Sequence, residues 1–314
     1  MPDEYFGGYA RTDIHAEMIG DQTRTRAYRR AILETPELFE GKVVLDLGCG
    51  TGILSMFAAE AGAKHVYAVE ASDMAKVAQR VVRDNGLQDA ITVLHGTLED
   101  LECPEPVDIV MSEWMGYALL FEGMLNSVLV ARDRWMKPDG ELVPNRARLY
   151  ACAVEDFEVE AKRFAWWDSV YGFDMSAVGE SCRREPLVDV VDTHCLVTDS
   201  AIIANLDIHT LGPDDDEHLA DVELVAYRTE TVHAILLWFD VDLTKRVVLS
   251  TSPLDVPTHW KQTLLYLPAP LKVVRGDAIR LQISIRPASD SPRSLDIDLV
   301  ASVDGQKRES HYRM

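Results

Sequence analysis

The stretch VVLDLGCGTGIL, residues 43–54, decides the fold, because it joins a short aliphatic run to closely spaced glycines and then to an apolar helical pattern. The aliphatic run predicts a buried strand. The glycines Gly48, Gly50 and Gly52 predict a loop whose backbone can approach a ligand at the N-terminus of the following helix. A strand, a loop and a helix in this order are the repeating unit of parallel sheets, so the stretch predicts an α/β domain.

The glycine spacing also indicates the class of cofactor. A dinucleotide-binding loop has the pattern GxGxxG, whereas Ile53 stands at the third glycine position here. Asp46, at the end of the strand, would repel a pyrophosphate. Both features favour a cofactor that lacks phosphates and carries positive charge, and S-adenosylmethionine has these properties. Glu70, which ends the next predicted strand, could accept hydrogen bonds from both hydroxyls of a ribose, although it would serve NAD equally well.

The alternation of strands and helices extends from this stretch to about Pro144. Strands are predicted in KHVYAVEAS, ITVLHGT, VDIVMSEW and GELVP. Helices are predicted in ILSMFAAEAGA, MAKVAQRVVRDNG and MLNSVLVARDRWMK. Upstream, residues 1–40 show the three- and four-residue spacing of helices, which Pro36 interrupts. We therefore predict N-terminal helices over residues 1–40 and a doubly wound parallel sheet over residues 41–144.

A different pattern begins after Pro144. Short β-like runs follow, separated by turn-forming stretches such as GPDDDE and PASDSP. The runs are RARLYACAV, AIIANLDIHT, ELVAYRTE, HAILLWFDVDL, RVVLSTSP, QTLLYL, AIRLQISIRP and SLDIDLVASVD. They predict an all-β domain, a barrel or a sandwich, over residues 145–314. The segment from about 157 to 190, which contains FAWWDSVYGFDMS, fits neither half. Its aromatic side chains either pack in the core of the second domain or project and bury against a partner subunit.

The charge of the chain limits its partners. The 314 residues carry a formal net charge of −21, which argues against direct nucleic-acid binding, because phosphate contacts need a basic surface. Residues 151–230 alone hold 19 acidic and 5 basic residues, a net charge of −14. Solubility alone explains this excess, unless a site for a basic group lies nearby, in which case the charge would steer basic polypeptides toward it.

Localisation and redox state are also predicted from composition. The sequence contains no run of 18 apolar residues, so no transmembrane helix is predicted. The N-terminal stretch MPDEYFGGYARTD has neither the basic nor the apolar region of a signal peptide. The five cysteines are odd in number and include no CxxC pair, which predicts reduced thiols and no zinc site. We expect a metal-free protein of the cytoplasm, the nucleus or both, without membrane association.

A second stretch, SEWMGYALLFEGM at residues 112–124, places two glutamates in an apolar setting. Glu113 ends the fourth predicted strand, at the sheet edge where α/β proteins bind ligands. Glu122 follows after Gly116, which permits a tight reversal, so both carboxylates can face one pocket. Either glutamate alone would be interpreted as a surface or helix-capping acid, but two together are unfavourable unless a cation lies between them. A guanidinium fits best, since it is permanently charged and planar, and its donors match carboxylates.

Two further candidates stay open when only residue types and spacing are considered. A cofactor that bears a carboxylate needs an arginine partner, and TRTRAYRR offers several, including Arg24, with no spacing that selects one. Glu99 follows the third predicted strand and could lie beside an adenine. Taken alone, Glu99 is better explained as a loop acid or an acid at the start of a helix.

At this point the sequence resembles the protein arginine methyltransferases over essentially its whole length. The matching stretches follow the family's order and are YFGGYARTDIHAEM, DQTRTRAYR, VLDLGCGTGIL, AVEAS, SEWMGYALLFEGML, PDGELVPNRARLY, FDMS and THWKQ. The resemblance implies a Rossmann-like S-adenosylmethionine-dependent methyltransferase domain, followed by a β-barrel-like domain with a helical dimerisation arm at about residues 157–190. A homodimer through the region of Trp166–Met175 is implied with it.

The resemblance also implies roles for individual residues. Glu113 and Glu122 would hold the substrate guanidinium, and His259 in THW, paired with Asp21, would help to remove the proton released on methylation. The residues implied at the cofactor are Arg24 at its carboxylate, Asp46, Gly48 and Gly50 at its amino-acid end, Glu70 at its ribose, Glu99 at its adenine, and His15, Phe6 and Met124 around it. Those implied at the substrate, besides the two glutamates, are Tyr9, Met18 and Trp260.

The implied reaction is methyl transfer from S-adenosylmethionine to arginine side chains of Arg/Gly-rich or histone-like basic proteins, with S-adenosylhomocysteine as the second product. Met18 and Met124 match the methionines of family members that form asymmetric dimethylarginine. Tyr5, Phe6 and Tyr9 would form a helix over the cofactor. Two alternatives are a catalytically silent member that scaffolds an active paralogue and a methyltransferase of a small guanidino compound.

Overall fold

The strand predicted at the start of VVLDLGCGTGIL forms the centre of a five-stranded parallel sheet. The computed structural model describes residues 7–212, 215 and 217–314. The strand order is β3–β2–β1–β4–β5. The strands are β1 Val43–Leu47, β2 His65–Glu70, β3 Ile91–His95, β4 Val107–Ser112 and β5 Met136–Val143. The order reverses between β1 and β4, which opens a crevice beyond their carboxyl ends, the usual ligand site of such sheets.

Helices cover this sheet at the positions that the sequence predicted. They are Thr12–Gly20, Gln22–Leu33, Pro36–Phe39, Ile53–Glu60, Met74–Asp84 and Leu125–Trp135. The helical pattern of the N-terminal region breaks after Leu33, and a new helix begins with Pro36 in its first turn, where a missing N–H does no harm. Residues 1–6 lie outside the described residues. None of the helices in the described ranges combines the length and the apolar character needed to cross a membrane.

The second half of the chain is built from antiparallel strands in two sheets. The strands are β6 Arg146–Val154, β7 Leu187–Asp189, β8 Ala201–Asp207, β9 His218–Val225, β10 Glu230–Thr244, β11 Val247–Ser250, β12 Gln262–Val273, β13 Ala278–Ala288, β14 Ser291–Val303 and β15 Gln306–Arg313. One sheet has the order β7–β12–β10–β6–β8 with β11 paired to β10, and the other β15–β14–β13–β9. The buried faces of these sheets share one hydrophobic core with the parallel sheet, so the two halves pack against each other.

The prediction missed β7 and β15 and misplaced β9. The stretch QKRESHYR, which forms β15, has no alternation of apolar and polar residues. Only Tyr312 of this strand is buried. The strand pairs with β14 along its whole length, so tertiary pairing determines it and local pattern does not. The stretch ELVAYRTE predicted a strand over residues 223–230, whereas β9 ends at Val225.

The segment 157–190, called the arm below, is mainly helical and leaves most of its aromatic side chains exposed. Its short helices are Phe157–Val159, Glu160–Phe164, Ala165–Asp168 and Ser176–Cys182. Trp166, Tyr171 and Phe173 are 52%, 97% and 71% exposed, whereas Phe164 is buried against Tyr266. Packing in the core therefore does not explain the aromatic stretch, and the exposure favours a projecting element that a partner covers.

Candidate active site

A cavity of about 390 Å³ lies at the carboxyl ends of β1 and β4. It brings together residues that the sequence places far apart, from both halves of the chain. Of the predicted site residues, those that line it are Tyr9, His15, Met18, Arg24, Gly48, Gly50, Glu70, Glu99, Glu113, Glu122, Met124, His259 and Trp260. Phe6, predicted at the cofactor, lies outside the described residues, as does Tyr5.

The glycine loop forms one wall, and its geometry requires glycine. Gly48 and Gly50 have φ values of +74° and +53°, in the left-handed region that favours glycine. A Cβ on Gly48 would lie 2.5 Å from Met124 Cε, and one on Gly50 would lie 3.0 Å from His15 Cε1. Because the glycines have no Cβ, the side chains of His15 and Met124 can approach the loop closely. The missing side chains leave a cradle for a ligand against the backbone.

Glu70 is held beside this loop at the end of β2. Its Oε2 accepts a hydrogen bond from the Gly50 N–H at 2.9 Å, and its Oε1 accepts one from the Ser72 N–H at 2.8 Å. The carboxylate is buried, and its remaining lone pairs are available to a ligand. A carboxylate fixed at this point suits the hydroxyls of a ribose.

Asp46 differs from its prediction, because it is not among the residues that line the cavity. It lies behind the loop, where Ser55 Oγ donates to its Oδ2 at 2.6 Å. Its Oδ1 is buried and accepts no hydrogen bond from any described residue. Burial raises the pKa of Asp46 to about 6, although the Ser55 hydrogen bonds oppose the shift. The carboxylate of Asp46 therefore contacts the helix Ile53–Glu60 behind the loop and does not face the cavity.

Glu113 follows β4 and is paired with Arg24. Nε and Nη2 of Arg24 donate to Glu113 Oε2 at 3.1 and 2.8 Å, and both side chains are more than nine-tenths buried. The other oxygen, Oε1, is buried and without a hydrogen-bond partner among the described residues. Arg24 was predicted to bind the cofactor carboxylate and Glu113 to bind the substrate. The ion pair shows that these two side chains are in direct contact.

Glu122 is positioned by unusual backbone geometry. Its φ is +76°, and that of Gly123 is +64°, so the chain reverses sharply there. The reversal that the sequence predicted at Gly116 is equally tight, since a Cβ there would lie 2.0 Å from Phe121 O. The hydroxyl of Tyr9 donates to Glu122 Oε2 at 2.6 Å. The loop therefore delivers the second carboxylate to the same cavity as Glu113.

Arg293 of β14 supports this loop and was not predicted. The Glu122 N–H donates to Arg293 O at 2.8 Å, and Arg293 Nη1 donates to Glu122 O at 2.8 Å. A Cβ on Gly123 would lie 2.6 Å from Pro292 O, so β14 packs directly on the loop. Arg293 stands 171 residues from Glu122 in the sequence, and no local pattern distinguishes it from the other arginines.

His259 is fixed by Asp21, as predicted. Asp21 Oδ2 accepts hydrogen bonds from the His259 N–H at 2.9 Å and from its Nδ1 at 2.8 Å. Burial raises the pKa of Asp21, but the hydrogen bonds from the His259 ring and from the N–H groups of Arg24 and His259 outweigh burial, so the pKa is lowered overall. With Nδ1 donating to this carboxylate, Nε2 of His259 is the nitrogen that can accept a proton.

The remaining predicted residues take more peripheral positions. Trp260 is buried, donates from Nε1 to Met115 O at 2.7 Å and packs on the His259 ring, so it supports that residue. Glu99 is exposed at the rim, where Ser127 Oγ donates to its Oε1 at 3.0 Å.

Comparisons with known proteins match both halves of the chain. A family model described as the arginine methyltransferase oligomerization subdomain matches residues 145–306, and a methyltransferase domain model matches residues 44–140. Protein arginine N-methyltransferase 1.1 of Arabidopsis thaliana is 46% identical over 320 residues, which cover 99% of this chain and 82% of that protein. Protein arginine N-methyltransferase 1 of Schizosaccharomyces pombe is 46% identical over 301 residues, covering 95% and 88%.

Solved structures give the same result. A chain of the Trypanosoma brucei PRMT1 enzyme-prozyme heterotetrameric complex with AdoHcy superposes with a TM-score of 0.95 at 40% identity, covering 98% of this chain and 99% of that chain. The predicted order of a Rossmann-like domain and a β-barrel-like domain is therefore confirmed.

Proposed function

This chain belongs to the protein arginine N-methyltransferase family, and from that premise we propose that it methylates arginine side chains of basic proteins to monomethylarginine and asymmetric dimethylarginine. One observation carries the proposal. Glu113 and Glu122 face a single cavity that also contains the glycine loop of Gly48 and Gly50. A guanidinium between these carboxylates would lie next to a cofactor on the loop.

The residues present fit S-adenosylmethionine as the cofactor. Gly48 and Gly50 leave a cradle that a Cβ would fill, and Glu70 offers an oriented carboxylate to a ribose. When bound, the cofactor supplies an electrophilic methyl group on a positively charged sulfur. Arg24 is the cation proposed to hold its carboxylate, with Glu99 at the adenine end, and His15 and Met124 would flank the loop. We propose that Asp46 acts indirectly, through Ser55.

Glu113 and Glu122 would bind the guanidinium of the substrate arginine. Two carboxylates hold the positive charge on part of the planar group and leave one terminal nitrogen more electron-rich. The same contacts orient that nitrogen toward the loop, which supplies much of the rate enhancement of a bimolecular reaction. Tyr9, which donates to Glu122 Oε2, would fix the carboxylate and cover the substrate.

His259 and Asp21 would accept the proton that the methylated nitrogen releases. Asp21 holds the Nδ1 side of the ring at 2.8 Å, so Nε2 can receive a proton, and the carboxylate stabilises the imidazolium that forms. Trp260 supports the ring from behind. We propose that Met18 and Met124, which line the cavity, shape the space for a methylated nitrogen so that a second methyl group goes to the same atom.

We further propose a homodimer formed through the arm, with Arg/Gly-rich or histone-like chains as substrates, in the cytoplasm, the nucleus or both. The exposed aromatic residues Trp166, Tyr171 and Phe173 support the interface. The net charge of −14 over residues 151–230 supports attraction of basic chains. The proposed units are the helices of residues 1–40, a methyltransferase domain over 41–144 and a β-barrel-like domain with the arm over 145–314.

A catalytically silent scaffold remains the second candidate. The solved relative from Trypanosoma brucei is an enzyme-prozyme complex, which shows that such pairs of chains exist in the family. The paired glutamates, the glycine loop and the His259–Asp21 pair are all in place in this chain and favour an active enzyme.

The purified protein, incubated alone with methyl-labelled S-adenosylmethionine, tests the proposal. We expect label in an Arg/Gly-rich peptide and none in the same peptide with lysine at every arginine. Mass spectrometry of the product should identify asymmetric dimethylarginine. No transfer by the lone protein, with transfer restored by a second family member, would support the scaffold. Transfer to free guanidino compounds but to no peptide would support a small-molecule enzyme.

A further inference from the structure

A cluster of three metal-binding residue types lies at the base of the arm, outside the cavity described above. In the described part of the chain, Glu155, His194 and Cys195 place a carboxylate oxygen, an imidazole nitrogen and a thiol sulfur within 4.8 Å of one another. Glu155 directly follows β6, and the other two residues end the short helix Thr193–Cys195. Since the arm spans residues 157–190, the cluster lies where its two ends meet.

The imidazole of His194 is already oriented for metal binding. Its Nδ1 lies 2.7 Å from Asp192 Oδ1, and its Nε2 lies 3.5 Å from Cys195 Sγ. A carboxylate on Nδ1 selects the tautomer whose lone pair is on Nε2, and metal-binding histidines commonly have such a second partner. The lone pair of Nε2 therefore faces the thiol of Cys195.

The spacing of these two atoms is that of two ligands of one ion. Tetrahedral zinc with a sulfur at about 2.3 Å and a nitrogen at about 2.05 Å holds the two ligand atoms about 3.5 Å apart. The observed separation of Sγ and Nε2 is 3.5 Å. A carboxylate oxygen of Glu155 lies within 4.8 Å of both atoms and supplies the third ligand, and a water molecule would complete the tetrahedron.

The surroundings attract a cation. The carboxylates of Glu155, Asp156 and Asp192 all interact electrostatically with the position of Cys195. The negative potential of these three carboxylates favours a divalent ion at the cluster. Arg228, 3.8 Å from Glu155 Oε1, offsets part of this charge.

We propose that Glu155, His194 and Cys195 bind a divalent ion of the zinc class, which links the two ends of the arm. A thiolate, an imidazole and a carboxylate together select zinc over magnesium or calcium. On binding, the S–H bond of Cys195 breaks, its proton goes to solvent, and the sulfur bonds to the metal. The sequence predicted no zinc site because no CxxC pair is present, whereas these ligands come from segments about 40 residues apart.

An existing backbone contact shows what the ion would reinforce. The Glu155 N–H donates to Cys195 O at 2.9 Å, so one hydrogen bond already joins the two segments. A metal bond between the same residues would restrict opening at the base of the arm. Slower proteolysis of residues 157–190 with zinc present is therefore an expected second effect.

Cobalt(II) added to the reduced, untagged, full-length protein is the test. We expect one ion per chain and an intense thiolate-to-cobalt charge-transfer absorption, which added zinc removes. Cys195→Ser and His194→Ala should each abolish the absorption. Cys182→Ser is the matched control, because Cys182 is also a half-buried free thiol and lies within the arm, and it should leave the absorption unchanged. No absorption in the wild type, or an absorption that survives Cys195→Ser in a variant with native circular dichroism, would overturn the proposal.

Discussion

Arg24 donates to a single oxygen of Glu113 from two of its nitrogens, at 3.1 and 2.8 Å, in the interior of the cavity. The pair lies between the loop proposed to bind the cofactor and the acid proposed to bind the substrate. Because Glu113 Oε1 is buried and has no hydrogen-bond partner among the described residues, Arg24 is its main source of compensating charge.

Replacing Arg24 with alanine should leave Glu113 buried and unpaired. We expect the free energy of unfolding to fall by about 3–5 kcal/mol, the usual effect of removing one partner of a buried ion pair. Urea unfolding at a fixed protein concentration measures it, and adding Glu113→Gln should recover part of the loss. Arg29→Ala is the control, since Arg29 is on the same helix and its pair with Glu60 is half exposed. That variant should change stability by less than about 1 kcal/mol, and equal losses in both would contradict the account.

Replacing Gly48 with alanine should fill the cradle of the loop. The new Cβ would lie 2.5 Å from Met124 Cε and displace this side chain, which lines the cavity, so we expect the affinity for S-adenosylhomocysteine, measured by calorimetry, to fall at least about tenfold. Gly86→Ala is a matched control. Its φ of +70° imposes similar backbone strain, yet no atom lies within 4 Å of the added Cβ. If both variants lost stability but kept cofactor affinity, the loop would not be the binding site.

Replacing Arg293 with alanine should shift the position of Glu122 and leave the cofactor loop unchanged. Loss of the hydrogen bond from its guanidinium to the Glu122 carbonyl should lower kcat about 10- to 100-fold. Affinity for S-adenosylhomocysteine should stay unchanged, and Arg293→Lys should restore part of the rate. Arg286→Ala, a control on the neighbouring β13, removes a pair with Asp298 and should leave kcat unaltered. A purely structural role would instead lower stability and leave kcat of the folded fraction intact.

Asp46 should give the stability of the protein a distinctive pH dependence. Its pKa of about 6 in the folded protein lies above the ordinary value of 3.8, chiefly because of burial. When folding raises the pKa of a group, its contribution to stability is fully present at pH values below the pKa of the unfolded state. That contribution is lost as the pH rises through the pKa of the folded state. Between pH 4 and pH 7, the unfolding free energy of the wild type should therefore fall relative to Asp46→Asn by on the order of 3 kcal/mol. Urea unfolding of both proteins at the two pH values measures this, and a constant difference would contradict it.

The sequence was most informative where chemistry constrains a short segment. The glycines of the cofactor loop, the reversal at Gly116 and the two glutamates were all predictable, because backbone conformation and buried charge restrict the residues that can stand there. His259 and Asp21, 238 residues apart, came only from the resemblance to the family.

Contacts between the two halves of the chain were not predictable. Glu122 depends on Arg293, which belongs to the other half, and nothing in SEWMGYALLFEGM indicates that partner. The resemblance to the family placed Asp46 at the cofactor, yet its carboxylate lies behind the loop, where Ser55 donates to it. Such details depend on the angle at which elements meet, and spacing along one strand or helix does not contain that information.

Methyl transfer by Glu122→Gln tests the central claim, that the two carboxylates bind the substrate guanidinium. Glutamine keeps the shape of the side chain and can still accept the Tyr9 hydrogen bond, so only the charge is removed. We predict that turnover on an Arg/Gly-rich peptide falls by about 100-fold or more, while affinity for S-adenosylhomocysteine stays within about twofold. Glu17→Gln, an exposed residue at the rim of the same cavity, should keep most of the turnover. Wild-type turnover by a folded Glu122→Gln protein would contradict the account.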